Sequence, residues 1–296
     1  MSARLCPACG GIGKEKFAAN IEEEMISSFS YSSRKRPELM HYALKECQSC
    51  RTLFVDEVPD LGGLIDNYVV ASFDSHTESK YAAKTYSKYL NRLDLIRNRR
   101  ILDIGCGDGT FLKTATLLGA ESVLGIEPSQ GALESAGEVK SLIRTIPVEQ
   151  CDYQFEFDLV TCFQTLEHLV DPKMVLSRMC TAAIPGGYIA VVCHNRLSLV
   201  NRLMGRRSPI FDIEHLQMFS VEGLEKILQS TNLKVIVSKQ ILNSYPLGYW
   251  LRLFPMPKVL KDFCESHRDS FLMRIPISLF VGNRLVIAQK EKSPNF

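Results

Sequence analysis

The chain has 296 residues, 46% hydrophobic and 23% charged, with 35 basic against 33 acidic side chains and a formal net charge of +2. These values fit a globular chain of one large domain or one domain plus a small appendage, and they argue against a disordered or fibrous polymer. The balanced charge gives no basic footprint for nucleic acid or for an anionic membrane.

The opening residues, MSARLCPACGG, lack the apolar core of a secretory signal, and no apolar run reaches membrane-spanning length. The expectation is therefore a cytoplasmic protein. Ten cysteines in such a compartment do not suggest a disulfide framework. Four are organised as Cys6-Pro7-Ala8-Cys9 and Cys47-Gln48-Ser49-Cys50. Each Cys-x-x-Cys pair can turn two thiolates toward one ion, and two pairs supply the soft tetrahedral ligands of structural zinc. Residues 1–58 are read as this zinc-ribbon module, with strands entering and leaving the second knuckle. Cysteines 106, 151, 162, 180, 193 and 264 lie among apolar residues and read as small hydrophobes.

Pro59 and Gly62-Gly63 punctuate the chain. Residues 59–98 then place Tyr81, Tyr86, Tyr89, Leu90 and Leu93 at helical spacing, which predicts a helical linker or lid. From residue 99 to 296, β and α signals alternate. Strands are expected at 100–104, 122–127, 157–162, 188–193, 233–238 and 284–289. Helices are expected at 111–118, 130–137, 172–183 and 221–230. This alternation predicts an α/β fold, a Rossmann-like sheet with helices on both faces. Insertions at about 196–220 and 240–282 are read as substrate-binding segments.

In open α/β sheets ligands bind beyond the carboxyl ends of the strands. The first strand of this region runs into Asp103-Ile104-Gly105-Cys106-Gly107-Asp108-Gly109. Gly105 and Gly107 permit a sharp turn and bare backbone, and Gly109 lets the next helix pack closely on the strand. Glu127 ends the next strand, where a carboxylate can accept bonds from both hydroxyls of an adenosine ribose. The dinucleotide fingerprint Gly-x-Gly-x-x-Gly is not met, because the third glycine falls one residue early. Asp103 and Asp108 would repel a pyrophosphate and attract a cationic sulfonium. The charge pattern prefers S-adenosylmethionine.

Together, "LDIGCGDGTFL", "GIEPS", "FDLVTCFQTLEHLVDP" and "IPGGYIAVV" resemble the class I S-adenosylmethionine-dependent methyltransferases over roughly residues 99–290. The resemblance implies a seven-stranded sheet whose last strand, "NRLVIAQK", runs antiparallel. It implies a cofactor site made by Asp103, Gly105, Cys106, Gly107 and Gly109, by Glu127 and Pro128, by Glu149 on the adenine side, and by Phe163 and Gln164 along the cofactor. With Cys6, Cys9, Cys47 and Cys50 as zinc ligands, the chain is similar to bacterial methyltransferases with an N-terminal zinc ribbon. Many of these act in sugar, surface-polysaccharide or natural-product pathways. Longer relatives methylate carbon on nucleotide-linked keto-sugars.

O- or C-methylation of a small acceptor calls for a base, and His168 in "TLEHL" and the Glu214-His215 pair in "FDIEHLQMFS" are the candidates. His168 reads equally as a loop-fixing residue, and His215 as a loop anchor. Ser220 is read as a helix N-cap, and His194-Asn195 as a substrate contact or a turn. Arg202, Arg206 and Arg207 read as a phosphate or carboxylate contact or as a solvated face. The aromatic stretch 245–263 reads as an active-site cover, a dimer contact or a lipid-carrier contact. The expected acceptor is a sugar or polysaccharide precursor, nucleotide-linked or lipid-linked. A homodimer and a peripheral membrane contact stay open. Two alternatives of another class are an RNA methyltransferase that uses the ribbon to bind RNA, and a non-catalytic cofactor-binding assembly protein.

Overall fold

The computed structural model describes residues 4–292, apart from 23, 25, 28–29, 32–37, 59, 74–75, 255 and 268–269. In chain order the elements are β1 (Gly13–Phe17), β2 (Leu44–Cys47), β3 (Leu53–Val55), α1 (Leu61–Val69), α2 (His76–Asn91), β4 (Arg100–Ile104), α3 (Thr110–Leu117), β5 (Ser122–Ile126) and α4 (Gln130–Glu134). They continue with β6 (Ile143–Arg144), β7 (Phe157–Phe163), α5 (Pro172–Ala182), β8 (Ala183–His194), α6 (Leu199–Met204), β9 (Gln217–Met218), α7 (Val221–Gln229) and β10 (Leu233–Gln240). The last elements are β11 (Asn243–Pro246), α8 (Leu247–Leu253), α9 (Lys258–Ser266), α10 (Phe271–Arg274), β12 (Pro276–Leu279) and β13 (Asn283–Lys290).

The main sheet has seven strands in the order β10-β13-β8-β7-β4-β5-β6. Strands β4 to β8 pair in parallel, while β13 is antiparallel to both β8 and β10. The strand order reverses between β4 and β5 on one side and β7 on the other, so a crevice opens at the carboxyl ends of β4, β5 and β7. The central strands are covered on both faces. Ile101, Leu102, Leu159, Val160, Ile189 and Val191 are fully buried. Each such side chain contributes about 1.5–3 kcal/mol of apolar burial.

One boundary differs from the sequence expectation. Pro185-Gly186-Gly187 does not separate a helix from a later strand; β8 begins at Ala183 and runs through it. Ala183 already pairs with Phe157, the register then slips, and Gly186 absorbs the irregularity at φ 80°. Likewise Gly62-Gly63 do not break the chain. They form the first turn of α1, which Asp60 caps through the Gly63 N–H.

The N-terminal segment builds a second sheet of four strands, β1-β2-β3-β9. Its fourth strand comes from the far side of the sequence: Leu53 and Phe54 pair with Met218 and Gln217. This module is therefore stitched into the larger unit. Ser220 caps α7 as expected, and its hydroxyl also donates to the Cys50 carbonyl. A Cβ on Gly223 would collide with Thr52. Arg196 reaches Glu46 at 3.0 Å and the Arg51 carbonyl.

Candidate active site

A cavity of about 270 Å³ lies at the crevice. Its floor is the β4–α3 loop. Gly105, Gly107 and Gly109 all adopt positive φ, at 72°, 55° and 70°. At Gly105 a Cβ would strike Thr165, and at Gly109 it would come within 2.7 Å of Val139. Gly109 thus packs against the segment leading to β6, where the sequence reading expected the strand. It ends the loop at the N-terminus of α3, and among the predicted cofactor residues it alone does not line the cavity.

Asp103, Gly105, Cys106, Gly107, Glu127, Pro128, Glu149, Phe163 and Gln164 all line that cavity. Asp103 accepts a 2.6 Å bond from the Thr161 hydroxyl and is almost wholly buried. Burial pushes its carboxyl up to about 7, the Thr161 bond works against this, and the charge of Glu127 adds to it. Glu127 accepts the N–H of Gly107 at 2.9 Å and of Ser129 at 3.0 Å. Burial raises it too, and those two bonds restrain the rise. Two buried carboxyls that lack a full counter-charge suit a cationic, hydroxyl-bearing ligand.

Gln164 sits in the left-handed region at φ 57°, its N–H donating to the Val192 carbonyl at 2.7 Å. Its side-chain Nε2 is buried without a hydrogen-bond partner among the described residues. A strained backbone and an unmet donor at one cavity wall are what a bound ligand would relieve. The residues present therefore fit S-adenosylmethionine.

The opposite wall gathers the base candidates. His168, on a 3-10 turn at Leu166–His168, has Nδ1 3.1 Å from the Tyr68 hydroxyl and 3.4 Å from Glu214 Oε2. His215 bonds the Ile210 carbonyl through Nδ1 at 2.9 Å. That nitrogen must donate, so in the neutral ring Nε2 carries the lone pair. The His168 and His215 rings are 4.9 Å apart, and His194 stands 5.6 Å from His215. Burial brings His194 down to about 4. The ligand atoms of His168, Glu214 and His215 all lie within 4.8 Å of one another, a donor set that can move a proton or hold a divalent cation.

Sequence reasoning missed Tyr31, Tyr68, Thr165 and Asp212, which also line the cavity. None belongs to a motif, and Tyr68 gives only the helical spacing of a core residue. Arg202, Arg206 and Arg207 are exposed and outside the cavity, with Arg206 stacked over Phe17. From the aromatic stretch, Tyr249 and Leu253 of α8 reach the cavity, while Phe254, Val259 and Phe263 are exposed. Asn195 accepts the Leu197 N–H as a turn residue, whereas His194 lines the cavity.

Cys6, Cys9, Cys47 and Cys50 converge outside this cavity. Cys6 and Cys50 sulfurs are 3.6 Å apart, and those of Cys9 and Cys47 are 3.4 Å apart. A tetrahedral zinc–thiolate site with bonds of about 2.3 Å has sulfur–sulfur edges of about 3.8 Å. Gly11 has no room for a side chain, since a Cβ would meet Cys47 Sγ at 3.0 Å. The donor set fits structural zinc, which would cross-link the two knuckles.

A parallel sheet with an antiparallel last strand, and an acid-lined glycine loop at its crevice, define a class I methyltransferase. The comparisons agree. The profile of the family described as "Methyltransferase domain" matches residues 74–238, more than half of the chain, and the chain belongs to that family. It is 28% identical over 161 residues to the ubiquinone biosynthesis O-methyltransferase of Salmonella typhi, covering 47% of this chain and 66% of that protein. With the enzyme of the same name from Rhodopseudomonas palustris it shares 32% identity over 121 residues, 39% of this chain and 47% of that one. The chain thus spans less than two thirds of the curated relatives it matches. Among solved structures, the magnesium protoporphyrin IX methyltransferase of Synechocystis with bound SAH aligns with a TM-score of 0.50 at 12% identity, over 80% of this chain and 90% of that one. That likeness is one of fold.

Proposed function

We propose that this protein transfers the methyl group of S-adenosylmethionine to a hydroxyl oxygen of a small-molecule acceptor. One observation carries the reading: the acid-lined loop of Asp103, Gly105, Gly107 and Glu127 opens into the same cavity as His168, Glu214 and His215. The cofactor supplies an electrophilic methyl group. Asp103, Glu127 and Gln164 bind and orient it. His215, with Nδ1 committed to Ile210, takes the acceptor proton on Nε2. Glu214 and Tyr68 hold the His168 ring beside it.

The acceptor wall is largely apolar, with Tyr31, Leu64, Ile65, Tyr68 and Tyr249. Such a lining suits an acceptor with a flat or greasy body and one reactive hydroxyl. The names of the matched relatives favour a phenolic acceptor of the ubiquinone-precursor kind. A sugar or polysaccharide precursor, favoured by the similarity to zinc-ribbon methyltransferases, is the second reading.

Calorimetry with S-adenosylmethionine, followed by transfer assays on catechols and on nucleotide- or lipid-linked sugars, tests both levels. Binding of S-adenosylmethionine and not NAD is expected. Binding of neither would sink the reading. Turnover of one acceptor panel alone would choose between the two acceptors.

A further inference from the structure

The two-residue strand β9 sits between the cysteine module and the base cluster. On one side it pairs with β3, and the Val55 N–H donates to the Leu216 carbonyl at 2.9 Å. On the other side the Leu216 N–H donates to the Glu167 carbonyl at 3.0 Å. Gln217 bridges the two. It is fully buried, and its Nε2 lies 2.8–2.9 Å from the carbonyls of Leu166, Glu167 and Leu169. Its Oε1 accepts from Arg4, which also bonds the Val55 and Val170 carbonyls. Glu214 and His215 immediately precede this strand, and His168 sits on the turn that Gln217 holds. The cofactor loop draws none of these hydrogen bonds; its own bonds run to β5 and its exit, through Ile126, Glu127 and Ser129, and it meets the turn in a packing contact of Gly105 on Thr165.

We propose that the four-cysteine module is a structural part of the acceptor site. By supplying β3 as the partner of β9 it sets the spacing of His168, Glu214 and His215, and Gln217 is the positioning residue through which that spacing is fixed. Metal in the cysteine site then organises the acceptor half of the cavity and leaves the cofactor half independent. The inference rests on the methyl-transfer reading, and it divides that site into two parts with different dependence on one ion. Physically, the knuckle at Cys47–Cys50 is the turn between β2 and β3. β3 is held by its pairing with β2 and by the burial of Leu53, Phe54 and Val55, and the cross-link to Cys6 and Cys9 would fix the β2–β3 turn that sets its register against the two-residue β9.

The test uses the full-length protein with its zinc content quantified, then stripped by a chelator and refilled with zinc alone. Three readouts are taken: S-adenosylhomocysteine affinity by calorimetry, the imidazole resonances of His168 and His215 by NMR, and the pH dependence of methyl transfer. On stripping, affinity for S-adenosylhomocysteine should stay within about threefold. Both histidine signals should shift or broaden, and they should return on refilling. Gln217→Leu, at full zinc, should reproduce the histidine change and move the acidic limb of the pH–rate profile. Its kcat should fall on the order of 100-fold, the usual effect of a small misplacement of a catalytic group. Unchanged histidine signals in the stripped protein would overturn the proposal. Should stripping unfold the chain and abolish S-adenosylhomocysteine binding, Gln217→Leu decides, and normal histidine signals in that variant would overturn it. Failure of the zinc-loaded wild type to bind S-adenosylhomocysteine is a separate result that removes the methyl-transfer reading instead.

Discussion

At Asp103, burial and ligand chemistry pull in opposite directions. Burial raises this carboxyl to about 7 even though it accepts the Thr161 hydroxyl, so near neutrality a fraction of it is protonated. A cationic ligand favours the ionised form, so binding S-adenosylmethionine should expel part of a proton. Calorimetry at pH 6.5 in buffers of different ionisation enthalpy should give binding heats that vary with the buffer. Asp103→Asn should reduce that dependence, leaving the share of Glu127, and weaken binding, and Asp103→Ala with Glu127→Ala should abolish binding while leaving the fold intact. Across the cavity, His215→Ala should lower kcat by roughly 100- to 10,000-fold, the range of a lost general base, with cofactor affinity unchanged. A loss confined to affinity would assign His215 to binding. The cofactor residues could be read in the sequence because alternate glycines between a strand and a helix, with acids at fixed offsets, are a local pattern. Tyr68 and Gln217 could not, because the groups they hold lie about 50 to more than 200 residues away in sequence, where no spacing rule reaches.

At the scale of elements, the alternation of strands and helices was readable because buried parallel strands are continuous apolar runs. The two-residue β9 was not, since nothing in Gln217-Met218 distinguishes a strand from a loop until β3 lies beside it. The β8 start was missed for the opposite reason: Pro-Gly-Gly is a breaker unless a neighbouring strand fixes its register. The docking of α7 on the second knuckle gives a direct check. Gly223→Ala should destabilise the protein by about 1–3 kcal/mol, as overpacking a closed contact does, even though alanine is the better helix former. Thr52→Ala, which removes the colliding hydroxyl, should recover part of that loss in the double variant. Equal stability of Gly223→Ala and wild type in urea titrations would mean that the module is not tightly seated there.

For the whole molecule, Asp103 and Glu167 act together on pH stability. Both are buried, and burial raises each to about 7. The folded chain then holds protons that the unfolded chain has released between its ordinary carboxylate range, near 4, and pH 7. These two groups lose stability as pH rises through that window, by an amount on the order of a few kcal/mol, while buried His194, held down to about 4, offsets part of the loss because only the unfolded imidazole is protonated there. Thermal unfolding at pH 5 and pH 7.5 should show the higher Tm at pH 5 in the ligand-free protein, with the gap narrowed by S-adenosylmethionine. A Tm that instead rises across this window, in wild type and in a His194→Gln variant alike, would mean that the two carboxyls are ionised in the fold. The shared sheet β1-β2-β3-β9 has another consequence, one of timing. During synthesis the cysteine knuckles emerge early, whereas residues 217–218, which close the edge of their sheet, follow some 160 residues later. Until then β3 is an uncovered strand edge, a site where nascent chains can pair wrongly. An early-bound metal would hold that edge in shape while the rest of the chain is made, so zinc-starved cells should yield aggregated chain and not merely slower enzyme.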